Sequence, residues 1–389
     1  MVDEPVSVQN PHTPSEAPVL VSGASFAGLA TAYWLNRLGY RVTVVEVASG
    51  LRKGGTPVDI EGETVGILER MGMFDAVRAK ALPPRAFEFK DAQDHTLGGF
   101  GLETGLDAPP RTRFEIHRDD LLEILFAGID GSVELLFGRS IKQLDDGPEG
   151  VTVTLDDGTR RTYALVFGCD GNRSNTRKLV FGAEKNFTYF MGGYVYLKVV
   201  PVTGILPSNV SQVFSVPRRT AMLNGYDDRT DIGLAFRTEG EIEYDYLDRA
   251  QQRAMIHDHF DGLGWKVPAA LTHVDAADDF YFDRINQIRM PFWSKGRVAL
   301  VGDAGYCVSP VAGMGGSMAI IGAGRLAEAL ERYGADYTAA FQDYHDKLQA
   351  FVDEVQIRAA NDGMATIFPA DDAEISERDR KLRDGELDL

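Results

Sequence analysis

Apolar positions along this chain fall into two kinds of run. Val19-Leu-Val-Ser22 and Val298-Ala-Leu-Val301 are short and continuously apolar, the pattern of strands buried on both faces. Each leads through glycines into a helical pattern: residues 26–35 in the first case, and Ala319, Ile320, Ile321, Ala323, Leu326, Ala329 and Leu330 in the second. Arg41-Val-Thr-Val-Val-Glu46 and Tyr163-Ala-Leu-Val-Phe-Gly168 read as two more strands. Between residues 181 and 279 the pattern changes. The stretches 193–200, 211–216, 220–223 and 231–237 alternate with period two or are rich in β-formers, which predicts an antiparallel sheet. On the first of these, Tyr194, Tyr196 and Lys198 share one face and Val195, Leu197 and Val199 the other. Which face turns inward stays open. A helical cluster at 244–263 follows, then a strand at 280–289 that returns to the first unit. Beyond Gly334, Phe341, Tyr344, Leu348, Phe351, Val352 and Val355 outline a long amphipathic helix that either bridges the two units or packs on one.

The glycine turns carry the candidate chemistry. Val19-Leu-Val-Ser-Gly23-Ala-Ser25-Phe26-Ala27-Gly28 is a strand, a tight turn and a helix start. Gly23 and Gly28 stand at the first and third glycine positions of a dinucleotide fingerprint, with Ser25 at the second. A pyrophosphate there would meet free N–H groups and the helix dipole. Glu46 ends the second strand, where an acid favours a free ribose 2′-OH and hence FAD or NAD. At the far end, Gly302-Asp303 closes a strand, and Pro310, Gly313, Gly315 and Gly316 precede a helix. An acid at a strand end can accept hydrogen bonds from a polyol, and N–H groups at a helix start stabilise negative charge. Between these segments lies Cys169-Asp170-Gly171-Asn-Arg-Ser174-Asn-Thr-Arg177.

A net charge of −18 disfavours nucleic acid as a partner. No apolar run approaches the ~18 residues of a membrane span. Cys169 and Cys307, the only two cysteines, read as buried thiols in a reducing cytoplasm. Seven scattered histidines show no ligand spacing, so no metal is expected.

The ordered set, an N-terminal dinucleotide fold, Asp-Gly-x-x-Ser-x-x-Arg and a late Gly-Asp with Pro and Gly-x-Gly, resembles the class A flavoprotein monooxygenases over residues 17–365. Among these it looks most like the short tetracycline-inactivating and polyketide-oxidising members. The resemblance implies an α/β fold: a Rossmann-like FAD-binding domain, an inserted antiparallel β-sheet substrate domain and a C-terminal bridging helix. The boundaries expected are 1–16, a disordered leader; 17–84, 108–182 and 280–334, the FAD domain; 85–107 and 183–279, the substrate domain; 335–368, the C-terminal helix; and 369–389, a charged, frayed tail. It implies that Glu46 meets the FAD ribose, Arg118 the phosphates or ribitol, Asp303 a ribitol hydroxyl, and that Asp170 and Gly171 lie near the pyrophosphate. Arg52 and Lys53 would belong to a mobile loop beside the flavin, and Ser317 to the flavin contacts. It further implies that NAD(P)H visits transiently, that O₂ reacts through a flavin C4a-hydroperoxide, and that a polycyclic phenol or enol is oxidised. Gln212, Arg219, Met222, Phe236 and Arg237 are the candidates for the substrate wall. The chain departs from the family at Gly305-Tyr306, where Ala-His is common, at Ser317, and in lacking an acid near Gly322. Two rivals stay open: a flavoprotein reductase or dehydrogenase without oxygen insertion, and a flavin-holding protein that sequesters a ligand. The oligomeric state, including a monomer, is open as well.

Overall fold

The computed structural model of the chain describes residues 17–101, 112–129 and 131–387. The expected leader and the expected boundary at 107/108 lie outside them. Pro18–Ser22 sits near the middle of a six-stranded sheet, parallel to Leu165–Gly168 on one side and Arg41–Glu46 on the other. Val298–Leu300 and Glu134–Phe137 extend it in parallel, and Ser294–Lys295 adds an antiparallel edge. Both faces of this sheet are covered, which is why its strands are continuous apolar runs. The helices Phe26–Arg37 and Gly315–Tyr333 pack on one face and on each other. A three-stranded antiparallel sheet built from residues 141–163 covers the other, where Leu20, Val45 and Val166 meet Val151 and Val153.

A seven-stranded sheet forms the second unit, in the order Tyr281–Ile288, Thr188–Val200, Thr230–Arg237, Arg219–Gly225, Val210–Val216, Ala86–Lys90, Thr96–Phe100. All neighbours are antiparallel except the parallel pair Val210–Val216 and Ala86–Lys90. Tyr281–Ile288, expected to return to the FAD unit, is instead the edge strand of this sheet. Tyr194 pairs opposite Arg284, and Phe282 stacks on the Tyr194 ring at 5.9 Å. Its last residue makes the return, with the Ile288 N–H donating to the Cys307 carbonyl.

The question of faces is settled by what covers each one. Tyr194, Tyr196, Phe214, Leu223, Leu234 and Phe236 pack under the helices Arg249–Phe260 and Val267–Ala276. Of these, Phe214, Leu223, Leu234 and Phe236 each contribute about 1.5–3 kcal/mol on full burial. Val195, Leu197, Met222, Ala235 and Ile285 lie on the opposite face, toward the FAD unit.

The helix Tyr337–Arg358 packs on the FAD unit through Ala340, Phe341, Tyr344, Leu348, Val352 and Val355. Its last turn reaches the second unit: the Gln356 amide donates to the Ile288 and Cys307 carbonyls at 2.9 and 3.1 Å. The tail departs from expectation. Asp372–Arg383 is a helix, with the Asp371 carboxylate accepting from the Ala373 and Glu374 N–H groups. Arg378 lies over the Phe89 ring at 4.5 Å and donates to Ser215 Oγ at 3.0 Å. Leu382 packs with Phe89 and Val213. Two inward residues four apart are enough to dock one helix face, and the surrounding charges concealed them. Leu382→Ala is therefore expected to cost about 2–3 kcal/mol in urea unfolding; a frayed tail would give no change.

Candidate active site

Pro18–Ser22 ends in a turn that only glycine fits. Gly23 has φ +106°, and a Cβ there would lie 2.4 Å from the Cys169 carbonyl oxygen. A Cβ at Gly28 would lie 1.8 Å from the Gly23 oxygen, so the helix sits directly on the turn. Ser25 is the N-cap, but its side chain caps nothing; it accepts from Arg118 Nη2 at 3.3 Å. The first intrahelical bond runs from the Leu29 N–H to the Ser25 carbonyl. The N–H groups of Phe26, Ala27 and Gly28 thus have no helical acceptor, and the dipole adds positive potential beside them.

Glu46 braces this turn. Its carboxylate accepts from the Ala24 and Ala48 N–H groups at 2.9 and 2.8 Å, with Arg52 at 3.5 Å. Arg118 begins the helix Arg118–Gly128, lies over the Phe26 ring at 5.2 Å, and donates to the Arg52 and Gly54 carbonyls. Burial lowers its pKa from the ordinary value. Lys53, on the same loop, is exposed and pairs with Glu123.

The other end of the chain meets the turn at Gly302. A Cβ there would lie 3.0 Å from Ala27 Cβ and 3.6 Å from Ala319, so glycine lets both helices close on the strand end. Asp303 follows. It lies deep among protein atoms yet keeps an accessible surface, and burial pushes its pKa up to about 6 against the Cys307 thiol and Arg177. Arg177 is fully buried and donates to the Ala304 and Asn172 carbonyls at 2.8 and 2.6 Å, tying the central segment to the short helix that carries Asp303. Asp170 abuts Gly23, but its oxygens accept from Ser174 Oγ and from the Thr176 N–H and hydroxyl. It thus braces the first turn of the helix Asn175–Phe181, whose N-cap is Ser174. Gly171 has φ +79° and open space where a side chain would stand.

Pro310–Ala312 forms a 3-10 turn after Ser309, a buried residue held at φ +86°. The Gly313 N–H donates to the Pro310 carbonyl at 3.1 Å and is thus occupied by the turn. Gly315 faces open space, and Gly316 packs against Val58. The Ser317 hydroxyl donates to the Asp59 carbonyl at 2.8 Å, pinning the strand Val58–Glu61 to this helix start. The remaining departures from the family pattern are linked. A Cβ at Gly322 would lie 1.8 Å from the Tyr306 hydroxyl, which bonds to Tyr344 at 2.8 Å. The tyrosine fills the space above Gly322, leaving none for a side chain there.

Between the two units lies a cavity of about 1030 Å³. Its floor is the Pro310–Met314 loop, its apolar wall is Val195, Leu197, Met222, Ala235 and Ile285, and its polar end holds Asp59, Glu61, Arg85, Arg113 and Glu115. Of the five side chains expected on the substrate wall, Met222 lines it. Gln212, Arg219 and Phe236 lie on the helix-covered face: Gln212 bonds Glu88 and Lys266, Arg219 points to the His259 carbonyl, and Phe236 stacks on His259 at 3.7 Å. Arg237 bonds the Phe368 carbonyl and pairs with Glu374. The polar end was not foreseen. Arg85 donates to Tyr226 at 2.7 Å and to Glu115, and the buried Asp231 nearby is pushed up to about 7 by burial, against Arg85 and the Tyr226 hydroxyl.

The residues present fit FAD. Two helix starts with free N–H groups, an acid at each of two strand ends, and glycines where a Cβ would collide make a cradle for a long dinucleotide. Across it, a sheet encloses a cavity suited to an organic substrate. This is the construction of an FAD-dependent monooxygenase. The chain belongs to the family described as FAD binding domain, whose model matches residues 16–356. An uncharacterized protein of Mycobacterium tuberculosis is 40% identical over 343 residues, 87% of this chain and 91% of its own. A flavin-dependent monooxygenase from an unknown prokaryotic organism is 34% identical over 345 residues, 87% of each. The solved tetracycline destructase Tet(51) is similar with a TM-score of 0.82 at 30% identity, over 95% of this chain and 96% of that one. No described helix is long and apolar enough to cross a membrane.

Proposed function

We propose that this FAD-dependent monooxygenase uses NAD(P)H and O₂ to oxygenate a polycyclic phenol or enol, such as an aromatic polyketide or a tetracycline-like compound. The observation that carries the reading is the cavity of about 1030 Å³, apolar along the sheet and polar at one end, which opens on the Pro310–Met314 loop. Its size suits fused rings lying beside a flavin, and its polar end suits hydroxyl and carbonyl substituents. Similarity to a tetracycline destructase supports the same class.

Bound FAD supplies the electron transfer and the O₂ activation. The protein's part is placement. The Phe26–Gly28 N–H groups hold the pyrophosphate, Glu46 the ribose and Asp303 a ribitol hydroxyl. The N–H groups at the start of Gly315–Tyr333, Gly315 and Gly316 first among them, stabilise negative charge at the flavin edge. Gly313 contributes its left-handed backbone (φ +67°), since its N–H is used within the turn. Val195, Leu197 and Met222 exclude water from the reacting face. NAD(P)H is a transient visitor that needs no fold of its own.

The test is NADH and NADPH oxidation by purified protein with a panel of polycyclic phenols that includes tetracycline, under ¹⁸O₂. Substrate-stimulated turnover with one ¹⁸O in the product is expected. Oxidised product without ¹⁸O would make this a dehydrogenase, and bound FAD without any stimulation would oppose catalysis on this class.

A further inference from the structure

We propose that Asp59 is the carboxylate that takes the hydroxyl proton of the substrate as oxygen is transferred. The assignment rests on reading the substrate as a phenol or enol. Asp59 stands in the strand Val58–Glu61, lines the cavity, and lies where its polar end meets the flavin-edge loop. A Cβ on Gly313 would be 3.9 Å from Asp59 Oδ2. The Ser317 bond to its carbonyl fixes the strand against the helix start, so the carboxylate is held at a set height above the loop. No hydrogen bond or ion pair among the described residues holds its side chain. A carboxylate kept bare in a cavity, on a braced strand, is free to accept a proton from what enters.

The surrounding charges agree with this. Glu61 lies on the same strand, Glu115 directly across from Asp59 with Arg113 beside it, and Arg85, Arg358 and Asp362 border the cavity from other elements. Burial, then Glu115 and Glu61, push the Asp59 pKa up to about 6, against Arg113 and Arg85. A base poised there is ionised at neutral pH and strong enough to assist.

In the step, the substrate O–H bond breaks and an O–H bond forms on Asp59. The electron pair left on the substrate oxygen raises the nucleophilicity of the carbon that receives oxygen. Over a turnover, one atom of O₂ enters the product and the other leaves as water, whose two hydrogens correspond to the hydride given up by NAD(P)H and one proton from solvent, and the product hydroxyl recovers a proton from solvent. Asp59 then returns its proton to water at the cavity mouth.

Asp59→Asn and Asp59→Glu test the assignment with tetracycline and a hydroxylated anthraquinone as probes. In wild type held at saturating FAD, product formation should rise as pH passes through about 6, because the base must be unprotonated. Asp59→Asn should keep its FAD, its anaerobic flavin reduction by NAD(P)H and its probe affinity by flavin fluorescence. It should lose that pH limb and make about 100-fold less product, the consumed NAD(P)H appearing as hydrogen peroxide. Asp59→Glu should restore part of the product yield and the pH limb. Full coupling in Asp59→Asn, or an unchanged pH limb, overturns the assignment while leaving the substrate class intact. Loss of FAD from both variants overturns it in favour of a cofactor-binding role. If wild type oxygenates neither probe nor any other polycyclic phenol, the substrate class fails first, by a separate observation, and this assignment falls with it.

Discussion

Gly28→Ala is expected to purify colourless. The Cβ would lie 1.8 Å from the Gly23 carbonyl oxygen, and that oxygen belongs to backbone. The turn cannot yield, because Gly23 is itself pressed against the Cys169 carbonyl and its N–H is bonded to Val45 at 2.7 Å. Relief must come from moving the helix Phe26–Arg37 outward. That helix packs on Gly315–Tyr333, and Ala27 touches the Gly302 position, so the motion would spread to both halves of the cradle. Overpacking of this kind costs about 1–3 kcal/mol, and more where the neighbour is main chain. The N–H groups of the first turn would also leave the place where a pyrophosphate meets them. The ratio of flavin to protein absorbance should fall at least ten-fold, with a lower thermal midpoint. A yellow, fully loaded Gly28→Ala protein would show that the close approach is not what binds FAD.

How much of this was legible in the sequence varies with how local each feature is. The strand–turn–helix around Gly23 and Gly28 and the Gly302-Asp303 strand end are written in contiguous residues, and each stands where its pattern places it. The faces of the seven-stranded sheet were not legible. Tyr194 and Tyr196 on one side and Val195 and Leu197 on the other are both apolar, because helices cover one face and the cavity wall is the other. For that reason Gln212 and Arg219, polar enough to suggest substrate contact, lie on the helix-covered side, where Glu88, Lys266 and the His259 carbonyl satisfy them. Asp59 gave no signal, since a lone acid in a four-residue strand is ordinary; only folding places it beside Gly313. Tyr306 and Gly322, which looked like two separate departures from the family, become one when the hydroxyl is found in the space above the glycine.

Asp303→Asn should move stability and cofactor binding in opposite directions. In the protein without cofactor, burial raises the Asp303 pKa from 3.8 to about 6. A carboxyl that holds its proton more tightly when folded favours the fold at low pH. That advantage is lost as pH climbs from the unfolded value through about 6. Above it the ionised group costs about 3 kcal/mol. Asparagine carries no such penalty, so at pH 7.5 the apo-variant should be more stable than apo-wild type by up to that amount, and at pH 4 by much less. FAD reverses the comparison. A ribitol hydroxyl donating to the ionised carboxylate makes a charge-assisted hydrogen bond worth about 1.5–3 kcal/mol, so the variant should bind FAD roughly 10- to 100-fold more weakly at pH 7.5. Wild-type affinity should also strengthen as pH rises through 6, and that of the variant should stay flat. Calorimetric unfolding of the apoproteins and fluorescence titration with FAD would measure both. An apo-variant less stable than wild type at pH 7.5 would mean the carboxylate is structurally satisfied, and equal FAD affinity would remove Asp303 from the flavin site.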